Sequence, residues 1–189
     1  MKNIIIFASG SGTNAENICK YFEHNADVKV KALFCNKSDA GVIKKMKPFK
    51  VPVHVFSKQE LNDETIFLPL IQQYEPTLIV LAGFLLLMPK YLIKKFPNSI
   101  INIHPALLPK YGGKGMYGHH VHEAVLASNE KEHGITIHFV NENFDEGQPV
   151  FQKSFAIEKG DDLDSVSKKI AQLEMMNFPE VIEQLLKNK

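Results

Sequence analysis

Three polar residues stand where they could act together on a carbonyl group. Asn102 and His104 lie two apart in Ser99–His104, an apolar segment of strand length that ends at Pro105. Side chains two apart on a strand point to the same face, so both can converge on one point above the sheet. Asn102 offers an amide donor and acceptor, and His104 a group that titrates near neutrality. Asp145, in Phe144-Asp-Glu-Gly147, supplies a carboxylate from a loop between two expected strands. Amide, imidazole and carboxylate arriving from separate segments can orient a carbonyl, move a proton and set the imidazole's pKa. No serine or cysteine stands at an elbow-like turn, which argues against covalent acyl-enzyme chemistry. The plain alternative is a structural strand-end Asn and a satisfied histidine.

A second candidate site is Ser9-Gly-Ser-Gly-Thr-Asn14, after the continuous apolar run Asn3–Ala8 and before Ile18, Cys19 and Phe22 at helical spacing. Strand, glycine loop and helix together resemble a dinucleotide fingerprint. The acid that such a fingerprint wants after the second strand is missing, however, since Asn36-Lys37 stand there. The ATP-type phosphate loop is missing too. What remains is a loop of small residues at a helix start, where N–H groups and a partial positive charge suit a terminal phosphate. A tight turn with Thr13 or Asn14 as a cap is the alternative.

These sites need elements to carry them. Further strands are expected at Val28–Phe34, Val51–Phe56 and Pro76–Gly83, with helical patterning over Val42–Met46 and Leu61–Tyr74. Strands apolar throughout and alternating with helices imply a doubly wound, mostly parallel α/β sheet, with ligands beyond the carboxyl ends of the strands. After Gly134, Ile135–Val140 and Val150–Ile157 follow one another directly and are expected to be antiparallel. A helix then starts near Asp161 and Asp162 and is expected to bend or break at Pro179. One domain over residues 1–189 is expected.

Composition narrows the function classes. The net charge of +1 gives no general field for nucleic acid. Lys29 to Lys58 holds eight lysines against Asp39, and solvated faces explain that run better than an RNA-binding patch. All 22 basic residues are lysines, so no guanidinium is available to clamp an anion. Cys19 and Cys35, at no metal-like spacing, suit a reduced, cytoplasmic protein. The N-terminus lacks the layout of a signal peptide. The longest uncharged apolar stretch, Leu78–Met88, is about half of a bilayer span.

Taken with Val80-Leu-Ala-Gly-Phe84, Ile101-Asn-Ile-His-Pro-Ala-Leu-Leu-Pro-Lys-Tyr111, His133–Val140, Asp145 with Gly147, and Glu174 before Pro179, the chain resembles the folate-dependent phosphoribosylglycinamide formyltransferases of purine synthesis. The resemblance covers almost the whole chain. It implies a Rossmann-like formyltransferase fold and two small-molecule substrates, glycinamide ribonucleotide and 10-formyltetrahydrofolate. It also implies no metal, no nucleic acid or membrane partner, and a monomer or weak homodimer. By the same resemblance Asn102 holds the formyl oxygen. His104, as imidazolium with its pKa raised by Asp145, stabilises the oxyanion and protonates the departing folate nitrogen. Gly12, Thr13 and Asn14 cradle the phosphate, Glu174 binds the ribose, and Leu85, Leu86, Leu87 and Met88 line the pterin pocket.

Departures from the family pattern fall on the folate side. Leu86 stands where an arginine is common, another family arginine would fall near Asp63, and Tyr111–His122 is longer than the usual loop. Lysine or solvent is therefore expected at the folate tail. Lys114 is a possible phosphate contact, although a flexible loop is the plainer reading. His138 is expected to be structural or to support His104. His119 and His122 could share a helical face, but no acidic partner stands at zinc-ligand spacing. Alternatives are a tRNA formyltransferase, which would need a C-terminal RNA-binding domain; a formyltetrahydrofolate hydrolase, which would carry an N-terminal regulatory one; and a non-catalytic phosphate-binding module.

Overall fold

A computed structural model covering residues 1–189 places fourteen main elements along the chain. They run β1 (Lys2–Ala8), α1 (Thr13–Phe22), β2 (Val28–Cys35), α2 (Gly41–Met46), β3 (Val53–Val55), α3 (Lys58–Asn62), α4 (Glu64–Gln72) and β4 (Leu78–Leu81). After these come α5 (Lys90–Lys95), β5 (Ile100–His104), α6 (His119–Ala127), β6 (Glu132–Phe139), β7 (Pro149–Ala156) and α7 (Leu163–Lys187). The strands form one sheet in the order β3-β2-β1-β4-β5-β6-β7. The first five are parallel and β6 and β7 are antiparallel additions, as the patterning indicates. The sheet reverses its winding between β1 and β4, and the crevice beyond their carboxyl ends is where such folds bind ligands.

β1 shows why these strands read as unbroken apolar runs. Ile4, Ile6 and Ala8 face a core shared with Ile18 and Phe22 of α1 and Phe178 and Ile182 of α7. Ile5 and Phe7 face the other side, where Phe34, Phe56, Phe67 and Phe84 gather. Both faces are covered, so no position alternates to polar. The second core is an aromatic cluster: Phe7 stacks on Phe34 at 5.0 Å between centroids, and Phe56 meets Phe67 edge-on at 4.9 Å.

Two expectations about helices are corrected. The segment Leu61–Tyr74 is two helices rather than one, because Asp63 is extended (φ −93°, ψ 99°) and its carboxylate caps α4 by accepting from the Thr65 N–H. α7 does not break at Pro179 but runs on through it. A proline in a helix leaves the carbonyl four residues earlier without its donor. That carbonyl is Met175 O, and the Asn17 side chain of α1 donates to it at 2.7 Å. The tertiary contact replaces the lost bond.

Phe67 is fully buried in the aromatic cluster. Phe67→Ala should lower the unfolding free energy by ~3–5 kcal/mol, as other large-to-small core changes do. The measurement is a shift of the urea midpoint at unchanged slope.

Candidate active site

The residues expected to bind substrate or act on it, from Gly12 to Glu174, line one cavity of about 810 Å³ over the carboxyl ends of β1, β4 and β5. At one end is the glycine loop. Gly12 caps α1 with a left-handed backbone (φ 77°) and no side-chain hydrogen bond, so the first-turn N–H groups remain free for an anion. Glycine is required there twice over, since a Cβ would also come within 2.4 Å of Val42. Asn14 Nδ2 donates to Glu174 Oε2 at 2.8 Å, tying the loop to α7. Burial raises the Glu174 pKa, and the Asn14 amide opposes it.

At the other end is Leu85–Met88. These residues do not open a helix. They run ahead of α5, with Leu85 and Leu87 exposed (39% and 42%) and Met88 buried. The main-chain groups of Leu86, Leu87 and Met88 have no main-chain partners, so they are free to read the edge of a planar heterocycle. Leu86 packs on the aromatic core, as an arginine at that position would not.

Between the two ends sits the predicted triad. Asn102 Nδ2 lies 3.3 Å from Asp145 Oδ1 and 3.2 Å from His138 Nε2. His104 Nδ1 is 3.4 Å from Asp145 Oδ2, and its Nε2 is 2.7 Å from the Tyr111 carbonyl. Gly113 N–H donates to Asp145 Oδ2 at 3.0 Å. β5 points Asn102 and His104 the same way, as their spacing requires. Asp145 reaches them from a loop in which its own backbone is left-handed (φ 57°). A Cβ on Gly147 would strike the Phe139 carbonyl at 1.6 Å, so only glycine lets this loop fold back on β6.

The formyl transferase family model matches residues 2–182 of this sequence. The chain belongs to the formyl transferase family. It is 37% identical to "Phosphoribosylglycinamide formyltransferase, chloroplastic" of Arabidopsis thaliana over 96% of its own length and 64% of that protein's. It is 35% identical to the phosphoribosylglycinamide formyltransferase of Bacillus subtilis (strain 168), over 98% of this chain and 95% of that one. The chain thus spans under two thirds of the plant relative and nearly all of the bacterial one. Among solved structures it resembles glycinamide ribonucleotide transformylase 1 of Geobacillus kaustophilus, with a TM-score of 0.88 at 30% identity over 98% of this chain and 99% of that one.

Within this cavity the titration of His104 differs from expectation. Burial pushes its pKa below the ordinary histidine value; the Asp145 carboxylate and the Tyr111 carbonyl pull it back up without overcoming burial. The resting imidazole is therefore neutral at pH 7. Burial also acts to raise Asp145, but the neighbouring His138 and His104 and the Gly113 N–H leave it below the usual carboxylate range. His138 supports Asn102 and Asp145 rather than His104, while its Nδ1 donates to the Phe139 carbonyl at 2.8 Å.

Several contributors escape sequence reasoning. The buried Ser9 hydroxyl donates to Asn36 Oδ1 (2.6 Å) and accepts from Leu85 N–H (3.0 Å), stapling the glycine loop to the Leu85–Met88 segment. Lys45 Nζ stands 3.3 Å from Thr13 Oγ1 and 3.1 Å from Glu16, beside the free N–H groups. Lys114 lines the cavity. His119 and His122 both lie on α6 but have different neighbours. His122 is buried against His133 at 2.9 Å, and His119 instead meets His120 and Glu123, with ligand atoms within 4.8 Å of one another. Glu123 is thus an acid at ligand spacing, although all three residues are exposed.

The His122 and His133 pair has a consequence for stability. Burial pushes both pKa values down, that of His133 to about 4. Between about pH 6.5 and pH 4 the unfolded chain binds protons that the folded chain refuses, so stability falls as pH drops through that window. Above pH 6.5 both states are neutral at these sites and the contribution is flat. Melting temperature measured against pH should fall over this interval, with a shallower slope in His133→Gln.

Proposed function

We propose that this chain transfers the formyl group of 10-formyltetrahydrofolate to the amine of glycinamide ribonucleotide in purine biosynthesis, with residues 1–189 acting as one catalytic domain. The observation that carries this proposal is the convergence of Asn102, His104 and Asp145 in the middle of a single cavity. Free helix-start donors lie at one end of that cavity and unpaired main-chain groups at the other.

The substrate phosphate binds the N–H groups of Gly12, Thr13 and Asn14, with Lys45 turning from Glu16 to add charge. Glu174 takes the ribose hydroxyls through the carboxylate oxygen that Asn14 leaves free. Leu85 and Leu87 flank the pterin, and the backbone of Leu86–Met88 pairs with its edge. Lys114 is the one lysine lining the cavity, and it is suited to the carboxylates of the folate tail.

The amine attacks the formyl carbon directly, so an N–C bond forms as the bond from carbon to folate N10 breaks. Asn102 holds the formyl oxygen. Its contacts to His138 and Asp145, at or beyond the long end of the hydrogen-bond range, are easily exchanged for an oxyanion. The attacking amine loses one proton and N10 gains one. Neutral His104 takes that proton, with Asp145 stabilising the imidazolium, and then gives it to N10. Charge that exists only in the tetrahedral state is stabilised selectively, which is where rate is gained. Both cysteines are free and buried, in keeping with a reduced cytoplasm. The working unit is a monomer or weak homodimer acting on small molecules, without metal or nucleic acid.

Purified protein given 10-formyltetrahydrofolate should formylate glycinamide ribonucleotide. Transfer only to a tRNA acceptor, or donor hydrolysis without any acceptor, would overturn this assignment. His104→Ala and Asp145→Asn should each lower kcat by about 100-fold or more. Lys45→Ala should raise KM for the ribonucleotide about 10-fold and leave kcat near wild type, the pattern of lost uniform binding.

A further inference from the structure

His104 has two ring nitrogens, and the structure distinguishes them. Nε2 lies 2.7 Å from the Tyr111 carbonyl oxygen. A carbonyl only accepts, so Nε2 carries a hydrogen. Nδ1 lies 3.4 Å from Asp145 Oδ2, so a proton placed there would face the carboxylate. Neutral His104 is therefore the Nε2–H tautomer, and Nδ1 is the nitrogen open to a proton.

The Tyr111 carbonyl is held in place from two directions. On the chain before it, Leu108 N–H donates to Thr136 Oγ1 at 3.0 Å, and Gln152 Nε2 donates to Leu108 O at 2.9 Å, pinning the turn to β6 and β7. On its own side chain, the Tyr111 hydroxyl donates to Glu130 Oε1 at 3.0 Å, the same oxygen that Lys110 Nζ holds at 2.8 Å. Between these anchors Tyr111 has φ 56°, a left-handed backbone uncommon outside glycine. The chain then crosses Asp145 closely: a Cβ on Gly112 would lie 3.2 Å from the Asp145 Cβ, and Gly113 N–H bonds its carboxylate. Residues 111–113 thus contact both His104 and Asp145.

We propose that Tyr111 is a positioning residue for the reaction: its carbonyl, aimed by the clamp of Lys110, Glu130 and the Tyr111 hydroxyl, fixes His104 as the Nε2–H tautomer and assigns catalytic proton transfer to Nδ1. This rests on His104 being the proton carrier proposed above. A second effect of the same contact is to favour protonation of His104, since a carbonyl accepting from Nε2–H stabilises the imidazolium too. The other groups acting on this ring are the Asp145 carboxylate, at Nδ1, and His138; His104 in turn acts on His122 and His133.

The test uses the full chain labelled with 15N-histidine, with the His104 signals assigned by their loss in His104→Asn. In the resting wild type above the His104 pKa, Nε2 should give a pyrrole-type shift and Nδ1 a pyridine-type shift. A reversed pattern overturns the proposal without touching the formyl-transfer assignment, because it is read without substrate. Tyr111→Phe and Glu130→Ala should each move the two shifts toward their average and lower kcat about 5- to 20-fold, with KM for both substrates within about 2-fold. Because both remove the same clamp, the double variant should be no slower than the slower single variant. Wild-type kcat and shifts in both variants, or additive losses in the double variant, overturn the clamp. A raised KM or lowered melting temperature with unchanged His104 shifts does so as well.

Discussion

The Asp145 carboxylate is largely buried, and a charge removed from water persists only where donors surround it. Much of the site's architecture follows from meeting that demand. Asn102 comes from β5 and the Gly113 N–H from the loop that leaves β5, while His138 of β6, 3.5 Å from the carboxylate, accepts from the Asn102 amide and holds it in place. His104 supplies a fourth neighbour that becomes a donor only when it gains a proton. Three segments distant in sequence must therefore meet at one point, and the antiparallel addition of β6 to a parallel sheet brings them there: Asn102 lies opposite His138 in the strand pairing. An all-parallel sheet could not place these two residues in that register without a crossover between them.

Burial around this carboxylate also determines how His104 works. Near a carboxylate in water an imidazole would gain a higher pKa. Here burial wins, and the ring rests neutral beside an ionised acid. In the proposed reaction, a neutral ring facing a fixed negative charge would receive a proton as the attacking amine loses one and would hold it for the leaving nitrogen. A permanently charged imidazolium could stabilise an oxyanion but could not begin by accepting.

The strands were legible because burial on both faces leaves no polar position to confuse the pattern, as in Ile4–Ala8. Asn102 and His104 were legible because a two-residue spacing on a strand has only one geometric meaning. What stayed hidden depends on tertiary contact. The Asn17 donor that lets α7 continue through Pro179 is remote from it in sequence, and a side-chain cap at Asp63 divides a run of helix-compatible residues. The Tyr111 contact uses a carbonyl, which every residue possesses, so no residue type could announce it. The sign of the His104 shift depends on the balance of burial and charge, and composition reveals neither.

The absence of arginine has a different meaning at each end of the cavity. At the phosphate end, α1 begins without a side-chain cap, and its free N–H groups provide what a guanidinium would. At the end proposed for folate, Leu86 is committed to the aromatic core, so the segment offers a ligand main-chain groups and apolar contact. The buried Ser9 hydroxyl joins the two ends. It receives the Leu85 N–H and donates to Asn36, while the Ser9 N–H donates to the Gly83 carbonyl at 3.0 Å. Moving either loop would break hydrogen bonds of the buried Ser9 hydroxyl, where replacement is expensive. The distance between the glycine loop and the Leu85–Met88 segment is therefore set by the sheet. Flexible side chains do not set it, and the proposed reaction, with two substrates at near-attack distance, would depend on such rigidity.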